Sequence, residues 1–231
     1  MKKYKTLLFD ADRTLFDYDK SERQALRATF EMYELEFSEK ALRQYHRVND
    51  ELWKQIERGE TTLATLQISR FTQLFEHMGI KWVKCDPSEF NSLYSRQLEK
   101  SAHLIDGAEE VCARLCGGSF LYIITNGITS VQRGRLSKSA LLPYMSDIFI
   151  SEEVGFHKPH RYFFEAVLAS LGNTAREDIL VIGDTLSSDI AGGYGAGLDT
   201  CWYNPKREPL KGSVRPTYEI SSLRELLVMA D

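Results

Sequence analysis

Six side chains in this sequence have the types and spacing to do chemistry together. Asp10 and Asp12 stand two residues apart, directly after the short apolar run Thr6–Phe9. Thr125 closes a second apolar run and leads into Asn126-Gly127, and Lys158 stands just ahead of Pro159. A third apolar run, beginning at Ile179, ends in Asp184, with Asp189 five residues further on. Acids placed against a buried strand are costly unless something cationic sits among them. Taken alone, the Asp10–Asp12 pair reads equally well as a strand-ending turn, where Asp is common. The later strand ends break that tie. In a parallel sheet the carboxyl ends of the strands share one edge, and ligands bind there. Four carboxylates and one ammonium gathered at that edge repel one another unless a divalent cation joins them. Hard oxygen donors favour Mg²⁺, which commonly bridges carboxylates to a phosphate. Thr125 and the backbone N–H groups after Phe9 can donate to phosphate oxygens, and Lys158 can neutralise charge. The chemistry this suits is phosphoryl transfer by a carboxylate nucleophile, through an aspartyl-phosphate. A carboxylate attacking a phosphate anion needs its repulsion cancelled. The leaving oxygen needs a proton, which a second acid two residues away can supply.

The elements that must position these groups follow from periodicity. Thr6–Phe9 reads as a strand buried on both faces, and the runs Phe120–Gly127, Ile148–Ser151, Ile179–Asp184 and Thr200–Tyr203 read as further strands, alternating with helices after residue 103. Asp106-Gly107 reads as a capped helix start, and Ser222 with Glu225 as a capping box opening the last helix. Between residues 18 and 102 the pattern is helix after helix. Ser38 and Asp86-Pro87 open two of these helices, Gly59 and Gly79 close two, and stripes such as Leu63, Leu66, Phe71, Leu74 and Phe75 mark buried faces. The expected fold is α/β: a Rossmann-like parallel-sheet core over 1–17 and 103–231, with a helical bundle inserted over 18–102.

Composition narrows the function classes. At 231 residues, with 43% hydrophobic and 27% charged residues, the chain can bury a sizeable core. A net charge of −4 leaves no basic footprint for polymeric nucleic acid or an anionic membrane. The N-terminal apolar run is too short for a signal-peptide core and no run approaches a membrane span, so the expected location is cytoplasmic. Cys112 and Cys116, four apart on a predicted helix, read as two small buried side chains rather than a metal site.

The ordered set of motifs resembles the haloacid dehalogenase (HAD) superfamily. Its DxDx[TV] motif matches Asp10–Thr14, its strand-end Ser or Thr matches Thr125, its Lys matches Lys158, and its GDxxxxD matches Gly183–Asp189. The helical insert stands where the family's C1 cap belongs. The resemblance implies that Asp10 is the nucleophile and a Mg²⁺ ligand. It implies that Asp12 is the general acid, then the base that activates water, with its backbone carbonyl on the metal. Thr125 and Lys158 would hold the phosphate, Asp184 would bind Mg²⁺ directly or through water, Asp189 would complete the metal site behind it by orienting waters or the lysine, and Asn126 and Gly127 would add substrate donors. Arg13 departs from the acidic or small residue common between the second Asp and the Thr. Softer patterns (Asn49–Trp53, Arg58–Glu60, ITNG, SEEVGFHKP) are similar to the pyrimidine 5'-nucleotidase branch, which implies a small phosphorylated metabolite, a nucleotide, as substrate. Asn49, Trp53, Arg58, Glu60 and Arg70 are then candidates for choosing among esters, against bundle core for Trp53 and a solvated face for Arg70. The alternatives are a phosphoglycolate or sugar-phosphate phosphatase, a 2-haloacid dehalogenase and a non-enzymatic phosphoacceptor domain. Asp12 and Asp184 argue against the dehalogenase, and the order of the acids along the chain argues against the phosphoacceptor.

Overall fold

The strand that carries the first acid pair lies at the centre of the sheet. In the computed structural model, which describes residues 3–81 and 85–230, β1 (Thr6–Phe9) is buried at every position. It is flanked by β2 (Phe120–Thr125) and β4 (Ile179–Gly183), with β3 (Asp147–Ile150), β5 (Asp199–Tyr203) and β6 (Tyr218–Ile220) outside them. The sheet order is β3-β2-β1-β4-β5-β6, and every pairing is parallel. Phe9 is level with Ile123 on one side and Ile182 on the other. This register brings the three motif-bearing strands to their ends together.

Contacts divide the chain into two compact units, Met1–Tyr18 with Ala102–Asp231, and Asp19–Ser101. In the first, Leu7 and Phe9 point into a core built with Val111, Leu115, Leu223 and Leu226, from α5 (Ala108–Leu115) and the approach to α10 (Glu225–Ala230). Leu8 points the other way, with Phe163, Phe164 and Val167 of α8 (Arg161–Ser170). Burial on both faces explains why β1 and β4 are apolar without alternation.

Several local expectations need correction. The short edge strand β6 was not predicted: three residues beside a proline-containing loop carry too little pattern. Cys116 is exposed, because it sits at the C-cap of α5 beyond the buried face that Cys112 occupies. Gly107, not Asp106, is the N-cap of α5, and the Asp106 carboxylate instead pairs with Arg224 at 2.6 Å. Ser151 opens the short helix α7 (Ser151–Val154) rather than ending β3.

The second unit contains α2 (Glu39–Glu57), α3 (Leu63–Met78) and α4 (Pro87–Glu99), and nearly all of α1 (Tyr18–Met32). Residues 82–84, within the stretch read as helical, lie outside the described residues. Ser38, Thr62 and Asp86 each accept a hydrogen bond from a backbone N–H of the first turn they cap. Aromatic rings fill the centre: Phe71 and Phe90 lie 4.7 Å apart between centroids, with Phe30, Tyr45 and Tyr94 around them. Asn49 is buried beside Tyr45, and Trp53 is partly buried against Val48, Leu52 and Ile56. Arg70 is fully buried, not on a solvated face. Its guanidinium donates twice to Asn91 Oδ1, at 3.0 and 2.6 Å, and lies 4.8 Å from the Tyr94 ring. Among the described residues no helix is long and apolar enough to cross a membrane.

A buried guanidinium must keep its acceptors, because hydrogen bonds to charged groups contribute about 1.5–3 kcal/mol each. Asn91→Leu is expected to destabilise the protein by about 2–3 kcal/mol in urea unfolding. A loss within experimental error would show that the Asn91 carbonyl is not what holds Arg70.

Candidate active site

One ammonium group organises the carboxyl edge of the sheet. The buried Lys158 Nζ donates to Asp10 Oδ1 at 2.6 Å, to Asp189 Oδ1 at 2.7 Å and to the Ile124 carbonyl at 2.7 Å. An ammonium has three protons, and all three are placed. Its backbone is placed as well. Asn126 Nδ2 donates to the Lys158 carbonyl at 2.9 Å, and the Lys158 N–H donates to Asn126 Oδ1 at 2.7 Å. Asn126 was expected to offer a donor to substrate; its amide instead ties the loop that carries Lys158. The Gly127 N–H, also expected to face substrate, donates to Thr125 Oγ1 at 3.1 Å.

Asp189 reaches the lysine because the chain after β4 makes a tight π-type turn, Leu186–Ile190, before α9 (Ala191–Gly195). That turn folds Asp189 back onto Gly183, where any side chain would overlap the Asp189 carboxylate. The second Asp189 oxygen accepts from the Thr185 N–H at 3.1 Å. Asp184 is held from both sides: Thr185 Oγ1 donates to its carboxylate at 3.1 Å, and Trp202 Nε1 donates to its carbonyl at 2.8 Å. Carboxylate oxygens of Asp10, Asp184 and Asp189 all lie within 4.8 Å of one another. Among the described residues, no other three His, Cys, Asp or Glu side chains gather in this way.

The electrostatics follow from burial. Burial raises the Asp10 carboxyl well above its ordinary value, more than the Lys158 charge lowers it, and the Asp189 and Asp184 charges raise it further. Burial, then the Asp189 charge, pushes Asp184 up to about 7, with Arg13 and Lys158 opposing. Burial by itself would lower the Lys158 ammonium, but Asp10 and Asp189 outweigh it and hold the group protonated. With all three carboxylates ionised, negative charge exceeds what Lys158 and the nearby Arg13 offset, and the raised Asp10 and Asp184 reflect burial together with that excess. A hard divalent cation fits this set of three carboxylates, of which Asp10 and Asp189 share Lys158.

Asp12 stands apart from this cluster. One of its oxygens accepts from Gln132 Nε2 at 2.6 Å, and the other pairs with Arg135 Nη1. Its side chain is therefore not among the clustered carboxylates, and any part in a metal site rests on its backbone carbonyl. Both partners come from α6 (Thr129–Lys138), a helix of mostly polar residues. The available signal was that a helix in this fold must bury one face, whereas α6 offers few apolar residues. Its buried positions are Val131, Gln132, Arg135 and Leu136. Arg13, between Asp12 and Thr14, adopts a left-handed backbone with φ 64°. Arg58 and Glu60 lie in the helical unit, in the turn after α2. There they pair with each other at 2.7 Å, and Arg58 also reaches Glu51 at 3.2 Å.

Comparison with known proteins agrees with this geometry. The family model for haloacid dehalogenase-like hydrolases matches residues 7–203. The chain is 40% identical over 226 residues to the HAD-hydrolase YfnB of Bacillus subtilis, covering 98% of this chain and 95% of that protein. A crystal structure of YfnB bound to magnesium superposes over the full length of both chains, with a TM-score of 0.93. The pyrimidine 5'-nucleotidase PynA of Streptococcus pneumoniae is 36% identical, covering 99% of this chain and 95% of its own. The pyrimidine 5'-nucleotidase YjjG of Escherichia coli is 34% identical, covering 97% and 96%.

An acid with a higher pKa folded than unfolded binds more protons in the folded state. The metal-free protein should therefore lose stability as pH rises from about 4, the ordinary Asp value, towards 7. Thermal melts in EDTA are expected to give a lower Tm at pH 8 than at pH 5.5. Mg²⁺ should raise the pH 8 value most, and Asp184→Asn should flatten the dependence. A Tm in EDTA that is independent of pH, or unmoved by Mg²⁺, would contradict the charge imbalance.

Proposed function

Because the chain belongs to the haloacid dehalogenase-like hydrolases, we propose that it is a Mg²⁺-dependent phosphomonoesterase acting through an aspartyl-phosphate on Asp10. The observation that carries this reading is Lys158 Nζ, held 2.6 Å from Asp10 and 2.7 Å from Asp189 beside the third carboxylate, Asp184. A carboxylate cannot approach a phosphate dianion while both charges stand unscreened. Lys158 fixes one Asp10 oxygen and screens its charge, leaving the other oxygen to attack. Asp10 and Asp184 would hold the metal, Asp12 contributing through its backbone carbonyl, and when bound the metal supplies the remaining charge neutralisation for the phosphoryl group. Thr125, at the end of β2, would donate to the phosphate, while Lys158, whose three protons are placed on Asp10, Asp189 and Ile124, would help hold it through its charge.

Asp12 lies two residues on and outside the carboxylate cluster, so it can protonate the leaving oxygen and then take the proton from the water that hydrolyses the aspartyl-phosphate. In the first of these two steps an acid is needed when the leaving group is an alkoxide. That favours an alkyl phosphate ester as substrate.

The substrate class is a nucleoside 5'-monophosphate, with pyrimidine nucleotides ahead of purine ones. Support comes from the two nucleotidases that match nearly the whole chain. Selection among esters is assigned to the helical unit, read as a cap, and within it to the Arg58–Glu60 turn.

A kinetic panel tests the reading. UMP, dUMP and dTMP are expected to exceed purine monophosphates, phosphoglycolate and sugar phosphates in kcat/KM. Asp10→Asn keeps the shape but removes the nucleophilic charge, and it should lower turnover by several orders of magnitude. EDTA should abolish activity. Phosphoglycolate or a sugar phosphate at the head of the panel would overturn the nucleotidase assignment alone. Substantial turnover by Asp10→Asn, or full activity in EDTA, would overturn the phosphatase mechanism.

A further inference from the structure

Neither the family motifs nor the relatives' names account for the two side chains that α6 aims at Asp12. Gln132 and Arg135 are three residues apart, which places them on one face of the helix, and both are buried. Gln132 Nε2 donates to Asp12 Oδ2 at 2.6 Å, while Arg135 Nη1 pairs with Oδ1. Asp12 keeps about a quarter of its side chain exposed, at 24%, whereas Arg135 has none. The carboxylate is thus gripped from its buried side and left open on the other.

The grip is itself supported. The Arg135 guanidinium lies 4.5 Å from the Phe16 ring and 5.8 Å from the Tyr18 ring, two faces that restrict the plane of a cation. Gly127 makes room for Gln132: a side chain at that position would overlap the Gln132 amide. The glycine of the ITNG stretch therefore admits the residue that reaches Asp12.

The rotation of an Asp carboxylate about its last bond is soft, with a broad preference and no staggered wells. One donor fixes one oxygen, but two donors on different oxygens fix the plane. Among the described residues each oxygen has one such partner, and the side chain stays partly open to solvent. Misplacing a reacting group by about 1 Å can cost on the order of a hundredfold in rate.

We propose that Gln132 and Arg135 are positioning residues, which set the plane of the Asp12 carboxylate so that it meets the leaving oxygen of the substrate. This inference rests on the acid role of Asp12 argued above. It is a role in orientation, so it acts only where Asp12 itself acts.

Leaving-group dependence separates this from a structural role. An aryl phosphate such as p-nitrophenyl phosphate needs no proton to release its phenolate, whereas an alkyl phosphate such as UMP does. First-turnover rates on both esters are to be measured for wild type, Gln132→Leu, Arg135→Met, Arg135→Lys and Asp12→Asn. The expected result is that the ratio of aryl to alkyl rates rises about tenfold or more for Gln132→Leu and Arg135→Met, in kcat rather than KM. Arg135→Lys should fall between Arg135→Met and wild type. Asp12→Asn should show the largest rise. Gln132→Leu removes one amide and keeps the side chain's bulk, so it remains informative if Arg135→Met fails to fold. Equal losses on the two esters, or a change confined to KM, would overturn the proposal while leaving the phosphatase reading intact. If Asp12→Asn itself gives no rise, the acid role fails and this inference falls with it.

Discussion

The structure depends on burying one lysine among acids. Lys158 Nζ is shared by Asp10, Asp189 and the Ile124 carbonyl, three acceptors from three different stretches of chain. An ammonium removed from water is tolerated only when it is fully hydrogen-bonded and opposed by negative charge. Each acceptor is there because of a local choice in the sequence. Asp10 arrives at the end of a strand buried on both faces. Ile124 offers its carbonyl from the next strand. Asp189 is folded back over Gly183, whose missing side chain leaves the space it occupies.

The same arrangement is left deliberately short of neutral. Three carboxylates and one ammonium cost stability in the absence of a cation, and burial, with the neighbouring acids adding to it, raises the pKa values of Asp10 and Asp184. A packed protein that only needed to be stable would do better with fewer acids here. The imbalance makes sense if a cation and a phosphate ester complete the charge distribution. Asp12 is handled differently. It is excluded from the cluster and given two donors of its own, so two carboxylates only two residues apart meet different environments and can take different roles.

Much of this was legible in the sequence, for identifiable reasons. Apolar runs long enough to be strands ended in Asp10, Thr125 and Asp184, and parallel pairing makes such ends converge. Caps at Ser38 and Asp86 and glycine stops announced the helices of the insert. What escaped were contacts whose side chains look ordinary in a one-dimensional pattern. Gln132 and Arg135 lie on a helix with few apolar residues, and periodicity does not reveal that a polar residue is buried. Arg70 escaped for the same reason: its acceptor, Asn91, is 21 residues away on another helix. Asn126 looked like a substrate donor because it follows Thr125, while the loop it ties lies 32 residues on. Local patterns locate strand ends and caps, but a hydrogen bond between distant segments is fixed only once the chain has folded.

In the proposed mechanism an Asp10 oxygen forms the covalent bond to phosphorus. The most direct measurement is to mix the Asp12→Asn protein with p-nitrophenyl phosphate and Mg²⁺, quench in acid within the first turnover, and locate phosphate by peptide mass spectrometry, since this ester needs no proton to leave and the substitution slows breakdown of the intermediate. The expected result is covalent phosphate on Asp10, absent when Asp10 is replaced by Asn. Phosphate on another side chain, or turnover by Asp12→Asn with no phosphorylated protein at any time, would contradict the account.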